Sequence, residues 1–206
     1  MLSFNEFILE EFSKNDPIPE ISRFKTKLGI VLIGLPGAGK STFINNFILP
    51  RNQQFKAFST DDVSNLLTKN PKVYHERSAI LNIERLSNYI KTGQNFIYDT
   101  TGAHEMNIFK IVEESREQDY TVIFIQLQTN VEVAKRRNVS RIRVADDDYI
   151  DFTNQRLKQN MELYSMYLKP ENFYVVDSTD NYIFFKYQDG KLLKREYDKY
   201  VEVSTI

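Results

Sequence analysis

The chain has 206 residues, which is enough for one sizeable domain with a small addition but not for two full domains. Apolar residues make up 41% and charged residues 27% of the sequence, a balance that excludes wholesale disorder. The formal net charge is only −1, so the molecule as a whole has no field that would draw it to a polyanion.

Several kinds of site are excluded by composition. There is no cysteine, and there are only two histidines, so thiol nucleophiles, disulfides and histidine-built zinc sites are ruled out. Any metal is therefore expected on oxygen ligands. No apolar run reaches the length of a membrane span, and the first twenty residues carry one lysine against five acids, unlike a signal peptide. We expect a cytoplasmic protein with no membrane partner.

The first segment, residues 1–26, is predicted to be a short helix and a connector. Ser3 has the character of an N-cap, and apolar residues follow at helical spacing before Pro17 and Pro19 end the helix. The predicted apolar face consists of Phe4, Phe7, Ile8 and Phe12. This helix either packs on the main domain or serves as a targeting or partner-docking helix.

Residues 27–180 alternate between strand-like and helix-like patterns, which predicts a parallel sheet with helices on both faces. The predicted strands are 29–34, 55–59, 95–99, 121–127 and 173–177. The predicted helices are 40–48, 62–68, 75–91, 105–117, 130–138 and 147–168. Residues 181–206 change in character, and Asp189-Gly190 between two strand-like runs predicts a C-terminal β-hairpin extension.

The segment Gly34–Ser41 matches the phosphate-binding pattern G-x-x-x-x-G-K-[ST], between a predicted strand and a predicted helix. Its glycines let backbone N–H groups surround an anion, Lys40 adds a positive charge, and Ser41 offers a hydroxyl to Mg²⁺. The pattern predicts a nucleotide-binding site. Its predicted members are Gly34, Pro36, Gly37, Ala38, Gly39, Lys40, Ser41 and Thr42.

Two acidic positions follow neighbouring strands at the sheet edge where α/β proteins bind ligands. Asp61 and Asp62 come after the second strand, and either one is a candidate general base, with Asp61 preferred. The alternative is that this pair caps a helix. Asp99, after the third strand, is a candidate metal ligand or substrate-orienting residue. Asp62 and Thr100 are further candidates for contact with the substrate. Loop capping is the alternative for Asp99.

A basic block over residues 136–143 contains four arginines and follows the fourth strand. Arg137 and Arg141 are four residues apart, so on one helix they would share a face and reach the phosphates together. We interpret the block as an arginine-bearing lid. The alternative is surface pairing with the acids at 146–148.

Together these motifs resemble the P-loop kinases typified by the 5′-kinase domain of phage polynucleotide kinase, with zeta-toxin kinases as relatives. The resemblance covers residues 28–178 and implies an adenylate-kinase-like sheet, ATP and Mg²⁺. It implies that Asp61 is the general base and that Arg137 and Arg141 contact the ATP phosphates. The sequence departs from the family at Thr60 and Ser64, where the family has arginines, the second of them binding the 3′-phosphate of the acceptor.

The expected function is transfer of the γ-phosphate of ATP to a hydroxyl group. The preferred acceptor is a 5′-hydroxyl of DNA or RNA or a hydroxymethylated base, and the alternative is a nucleotide sugar or another small metabolite. A non-kinase nucleotide-dependent switch is a third hypothesis. If the acceptor is a nucleic acid, Phe58 and Tyr74 are candidates for base stacking, with core packing as the alternative. The oligomeric state stays open.

Overall fold

A computed structural model describes residues 18, 21, 27–67, 75–141, 144–167, 173–180, 182–188, 191–196 and 199–202. The predicted N-terminal helix and Tyr74 lie outside these residues. Ile18 and Ile21 are fully buried in the core, and the Asn52 side chain donates a hydrogen bond of 3.2 Å to the Ile21 carbonyl. The chain before the sheet is thus fastened to the domain at these two positions.

The described strands form one sheet in the order β2-β3-β1-β4-β5-β6-β7-β8. The first five in sequence are parallel, as predicted, and their central members are buried almost throughout. They are β1 (Leu28–Gly34), β2 (Lys56–Ser59), β3 (Phe96–Thr100), β4 (Thr121–Gln128) and β5 (Phe173–Asp177). The predicted α/β class and five-stranded parallel sheet are confirmed.

Helices occupy the connections between the parallel strands. After β1 come α1 (Lys40–Phe43), a π-helical turn (Ile44–Ile48) and α2 (Leu49–Arg51), which continue one another. The others are α3 (Thr60–Leu67), α4 (His75–Ile90), α5 (Glu105–Glu117), α6 (Val131–Val139) and α7 (Asp147–Tyr167). None of the described helices is both long and apolar enough to cross a membrane.

The C-terminal extension has one more strand than the predicted hairpin. β6 (Ile183–Gln188) pairs with β7 (Lys191–Glu196) as expected, and β8 (Lys199–Glu202) adds to β7, all antiparallel. β6 also pairs with β5, so the extension continues the main sheet. The sequence after β7 carries charged residues between its apolar ones, which weakened the signal for a third strand. The division at 180/181 stays a prediction.

An aromatic cluster joins the extension to the helix after the phosphate-binding loop. Phe43 stacks on Phe47 with ring centroids 4.8 Å apart, and Phe184 lies 5.1 Å from Phe47. Tyr182 meets Phe43 edge-on at 5.3 Å. Aromatic pairs of this geometry stabilise beyond their buried area, by ~0.5–1.5 kcal/mol each. The extension therefore supports the helix that carries Lys40 at its start.

Candidate functional site: the carboxyl edge of the parallel sheet

The loop between β1 and α1 turns through two glycines with positive φ, Gly37 at 84° and Gly39 at 89°. Only glycine adopts these angles without strain. A Cβ atom on Gly37 would lie 2.2 Å from the Ala134 carbonyl oxygen, whereas one on Gly39 would meet nothing within 4 Å. The loop is therefore backed by α6 on one side and open on the other, as an anion-binding loop requires.

Lys40 begins α1 and points its ammonium group back into this loop. The Nζ atom donates hydrogen bonds to the carbonyls of Gly34 at 2.8 Å and Leu35 at 3.2 Å, and lies 3.8 Å from Oδ1 of Asp99. Burial lowers the pKa of Lys40, and the Asp99 carboxylate opposes this effect. Ser41 and Thr42 are exposed on the next two positions of the helix.

Asp99 lies near the end of β3, directly beside Leu32 of β1 in the sheet register. Its side chain is only 11% exposed. Burial raises the pKa of Asp99 to about 6, although Lys40 beside it favours the charged form. Thr100 follows at the end of the strand, where it is half-buried and hydrogen-bonds with the Tyr98 side chain. The predicted neighbourhood of Lys40 and Asp99 is present in the structure.

Asp61 and Asp62 lie in the first turn of α3, immediately after β2. The Ser59 hydroxyl accepts the Asp62 amide hydrogen at 3.2 Å, so the side-chain cap of this helix comes from Ser59 rather than from the acid pair. Oδ2 of Asp61 lies 3.4 Å from Nη2 of Arg141. The negative charge of Asp61 acts to raise the pKa of both Lys40 and Asp99. Asp61 thus belongs to the same cluster of charges as the phosphate-binding loop.

The two lid arginines do not share a helix face, contrary to expectation. α6 ends at Val139, with Ser140 already outside the helical region, so Arg141 lies beyond the helix while Arg137 is on its last turn. Arg137 donates to the carbonyls of Ser178 at 2.8 Å and Thr179 at 2.5 Å. Its contact with ATP phosphates stays a prediction. Arg141 is the one of the two that the structure places beside Asp61.

A buried asparagine shapes the lid. The Asn138 side chain, 1% exposed, donates to the Ala145 carbonyl at 2.7 Å and accepts from the Ala145 amide at 3.2 Å. These two hydrogen bonds join Asn138 and Ala145, which are the two ends of the segment that carries Arg141. Lys135, just before the basic block, pairs with Asp151 at 2.9 Å, whereas Arg141 pairs with Asp61.

The loop after β3 is fixed from α7 by two residues that the sequence analysis did not select. Tyr164 donates to the Gly102 carbonyl at 2.8 Å, and Asn160 donates to the carbonyls of Gly102 and Ala103. A signal was present in the sequence, because Asn160 falls in the apolar face of α7. The buried residues of that face are Ile150, Thr153, Leu157, Asn160 and Tyr164.

A second set of missed residues links the phosphate-binding loop to the end of β5. The Ser178 hydroxyl donates to the Ala38 carbonyl at 2.9 Å and lies 2.6 Å from the Thr129 hydroxyl. Both side chains are nearly buried. Because Ser178 also presents its carbonyl to Arg137, this connection joins the loop, β4, β5 and the lid helix.

Phe58 is not available for stacking. It is 3% exposed in β2 and packs against Tyr89 with ring centroids 5.0 Å apart. Because Phe58 lies on the buried side of β2, it packs in the core and does not stack on an acceptor base. Thr60, one of the two departures from the family pattern, begins α3 and is half-buried.

The comparison with protein families is decisive for the identity of the fold. A family model described as an AAA domain matches residues 30–167, which is most of the chain. The chain belongs to this family, AAA_33. The predicted resemblance to P-loop kinases is confirmed at the level of the fold by this match together with the kinases among the similar structures. No curated protein matches the sequence.

Three solved structures illustrate how far the fold is shared. The shikimate kinase of Bacteroides thetaiotaomicron is 19% identical, with a TM-score of 0.51 over 73% of this chain and 86% of its own. A chain of the Pnkp1/Rnl/Hen1 RNA repair complex is 22% identical, with a TM-score of 0.56 over 68% of this chain. A chain of the PezAT toxin-antitoxin system of Streptococcus pneumoniae is 18% identical, with a TM-score of 0.63 over 86% and 78%. This AAA_33 chain spans 47% of the RNA-repair chain.

Proposed function

We propose that the protein is an ATP-dependent kinase that transfers the γ-phosphate to a hydroxyl group. The observation that carries the proposal is the grouping of Lys40, Asp99, Asp61 and Arg141 at the open side of the phosphate-binding loop. Phosphoryl transfer requires positioning and charge stabilisation more than covalent chemistry. This cluster offers two cations for the transferred group and a carboxylate for the attacking hydroxyl.

In this proposal the loop 34–41 holds the β- and γ-phosphates through its backbone N–H groups. Lys40 turns from the Gly34 and Leu35 carbonyls towards phosphate oxygens, which are stronger acceptors. Arg141 meets the charge that spreads over the equatorial oxygens as the bond to ADP breaks. Asp61 accepts the proton of the acceptor hydroxyl as its oxygen bonds to phosphorus.

The residues present fit a magnesium ion. The exposed Ser41 hydroxyl and the Asp99 carboxylate are oxygen donors of the kind that Mg²⁺ accepts, and phosphate oxygens and water complete such a shell. Asp99 must be ionised for this role, which its raised pKa of about 6 permits near neutral pH. When bound, Mg²⁺ neutralises charge on the phosphates.

For the acceptor we propose a 5′-hydroxyl of DNA or RNA or a hydroxymethylated base. The named neighbour from an RNA repair complex supports a nucleic-acid acceptor. The neighbouring shikimate kinase, a kinase of a small metabolite, supports a nucleotide sugar or other small metabolite as the second candidate. A nucleotide-dependent switch without an acceptor is a third candidate, in which Asp61 would orient an attacking water instead of an acceptor hydroxyl.

The test is ADP formation from ATP with and without acceptor. A kinase produces ADP in proportion to the acceptor supplied and transfers label from the γ-position to it. ADP formation that ignores every acceptor would support the switch instead. Lys40→Ala serves as the inactive reference for both measurements.

A further inference from the structure

One peptide of the phosphate-binding loop, between Ala38 and Gly39, is held from outside the loop. Ala38 is fully buried, and its carbonyl accepts a hydrogen bond of 2.9 Å from the Ser178 hydroxyl. Gly39, on the other side of this peptide, is half-buried, and a Cβ atom there would meet nothing within 4 Å. The Ala38 carbonyl therefore faces the protein interior, while Gly39 borders the open side of the loop.

The planarity of the peptide bond links these two sides. In a trans peptide the C=O and N–H groups point in opposite directions, and the described residues contain no cis peptide bond. Because the Ala38 carbonyl points towards Ser178, the amide hydrogen of Gly39 points away from Ser178. The hydrogen bond to Ser178 thus sets the direction in which this part of the loop offers a donor.

Glycine at position 39 makes the orientation of this peptide easy to lose. Gly39 has a φ of 89°, and glycine adopts φ values of either sign about equally well. The backbone itself therefore opposes a rotation of the Ala38–Gly39 peptide only weakly, and such a rotation would turn the amide hydrogen in another direction. A loop that needs glycine at this position also needs an external contact that holds the peptide.

Ser178 is itself fixed at several points. Its amide donates to the Gln128 carbonyl at 2.8 Å, and its carbonyl accepts from Nη1 of Arg137 at 2.8 Å. Its hydroxyl lies 2.6 Å from the Thr129 hydroxyl and 3.1 Å from the Gln128 carbonyl, which already receives the Ser178 amide. If Thr129 donates to the Ser178 oxygen, the Ser178 proton is left for the Ala38 carbonyl, and each hydroxyl donates once.

We propose, building on the kinase function above, that Ser178 is a positioning residue for the nucleotide phosphates. Its hydroxyl holds the Ala38–Gly39 peptide in the orientation that presents the Gly39 amide hydrogen to a phosphate oxygen. Hydrogen bonds to an anionic oxygen are about twice as strong as those between neutral groups. Loss of this correctly directed donor should therefore weaken phosphate binding about tenfold.

The experiment observes the Gly39 amide directly by NMR. Ala38–Gly39 is the one Ala-Gly pair in the sequence, so labelling with carbonyl-¹³C alanine and ¹⁵N glycine selects this amide. The probe is inorganic triphosphate, which has neither a base nor an acceptor hydroxyl. In the wild type, the Gly39 amide proton should shift downfield when triphosphate binds. In Ser178→Ala this shift should fall to less than half, and the dissociation constant should rise about tenfold.

Thr129→Val is the matched control, because it removes the other hydroxyl of the same buried pair and leaves the donor to Ala38 in place. Both variants should lower the melting temperature, but Thr129→Val should keep the Gly39 shift and bind triphosphate within about threefold of the wild type. If both variants lose affinity equally, the pair only stabilises the fold around the loop and the inference is wrong. It is also wrong if Ser178→Ala keeps both the shift and the affinity.

The outcomes separate this inference from the proposed function. Triphosphate binding with a Gly39 shift that depends on Ser178, in a protein that transfers no phosphate to any acceptor, would retain the inference and overturn the kinase. Acceptor-dependent transfer by the wild type, with triphosphate affinity and Gly39 shift unchanged in Ser178→Ala, would do the reverse. A wild type that does not bind triphosphate would overturn both.

Discussion

The Asp61 carboxylate and the Arg141 guanidinium face each other across the candidate site, with Oδ2 and Nη2 3.4 Å apart. Each side chain is more than a third exposed, and exposed ion pairs contribute little to stability. The contact is therefore easily exchanged for a stronger one. In the proposed mechanism a triphosphate draws Arg141 away from this contact, and the Asp61 carboxylate accepts the proton of the acceptor hydroxyl.

Asp61→Asn tests this assignment of the base. The amide keeps the shape of the side chain but cannot accept the proton, so we expect kcat to fall by about 10²–10⁴ with ATP affinity nearly unchanged. Steady-state kinetics of acceptor-dependent ADP formation give both quantities. Asp62→Asn is the matched control on the next residue of α3 and should stay near wild type. If the losses are exchanged between the two variants, Asp62 is the base.

Lys40→Ala should differ from Asp61→Asn in the kinetic constants that it changes. Because its ammonium group is held at the loop that receives the phosphates, its removal weakens nucleotide binding and transfer together. We expect KM for ATP to rise and kcat to fall in the same variant. A Lys40→Ala protein that binds ATP normally would contradict the placement of the phosphates in this loop.

The two lid arginines are predicted to separate in their effects. Arg141→Ala should lower turnover more than ground-state ATP affinity, because its charge is proposed to act in the transition state. Arg137→Ala should lower the melting temperature, because it leaves the carbonyls of Ser178 and Thr179 without their donor. Arg136→Ala, exposed on the same helix, is the control for both measurements. Equal loss of affinity and rate in Arg141→Ala would indicate simple anchoring of phosphate.

The ionisation of Asp99 is predicted to make the free energy of unfolding depend on pH between about 4 and 6. Burial raises its pKa from 3.8 to about 6, so between these values the folded protein keeps a proton that the unfolded chain has released. The stabilisation is present below pH ~4 and is lost as pH rises through about 6. At ~1.4 kcal/mol per unit, the upper limit is about 3 kcal/mol.

The measurement is the free energy of unfolding by urea across this pH range. Asp99→Asn should flatten the dependence, while Glu84→Gln, at an exposed acid that is not among the groups acting on Asp99, should retain it. The same ionisation should limit activity, which is expected to rise through pH ~6. An unchanged stability profile in Asp99→Asn would mean that another group carries the dependence.

Much of the fold was predictable because its signals are local. Buried parallel strands appear as continuous apolar runs, and the glycines of the loop 34–41 report a turn that few other residues can form. Lys40, Asp61 and Asp99 follow strands whose ends meet at one edge, so their proximity also followed from the sequence. What escaped prediction depends on tertiary contacts. The hydrogen bonds of Ser178 and Asn160 cross 140 and 58 residues respectively.

The structure of the lid was also only partly predictable from the sequence. Arg137 and Arg141 have helical spacing, yet α6 ends between them. The spacing gives no information on where a helix stops when no glycine or proline marks the end. Asn138, which clamps Ala145, is a polar residue of ordinary appearance until the chain folds back on it. The partner of Arg141 is 80 residues away in the sequence.

The acceptor is best identified by how its phosphorylation responds to salt. Residues 131–143 carry a local excess of four positive charges, whereas the whole molecule has a net charge of −1. The sequence also has Thr60 and Ser64 at positions where the polynucleotide kinases that it resembles have arginines. The protein would therefore contact few phosphates of a polynucleotide. We expect its apparent affinity to fall with salt along a slope equivalent to about two to four ion contacts, at ~0.9 per phosphate. Labelled ATP offered with a 5′-hydroxyl oligonucleotide, a hydroxymethylated DNA and a set of nucleotide sugars at several salt concentrations provides the measurement. Label that enters only the small molecules, at a rate indifferent to salt, would exclude the nucleic-acid acceptor and keep the kinase.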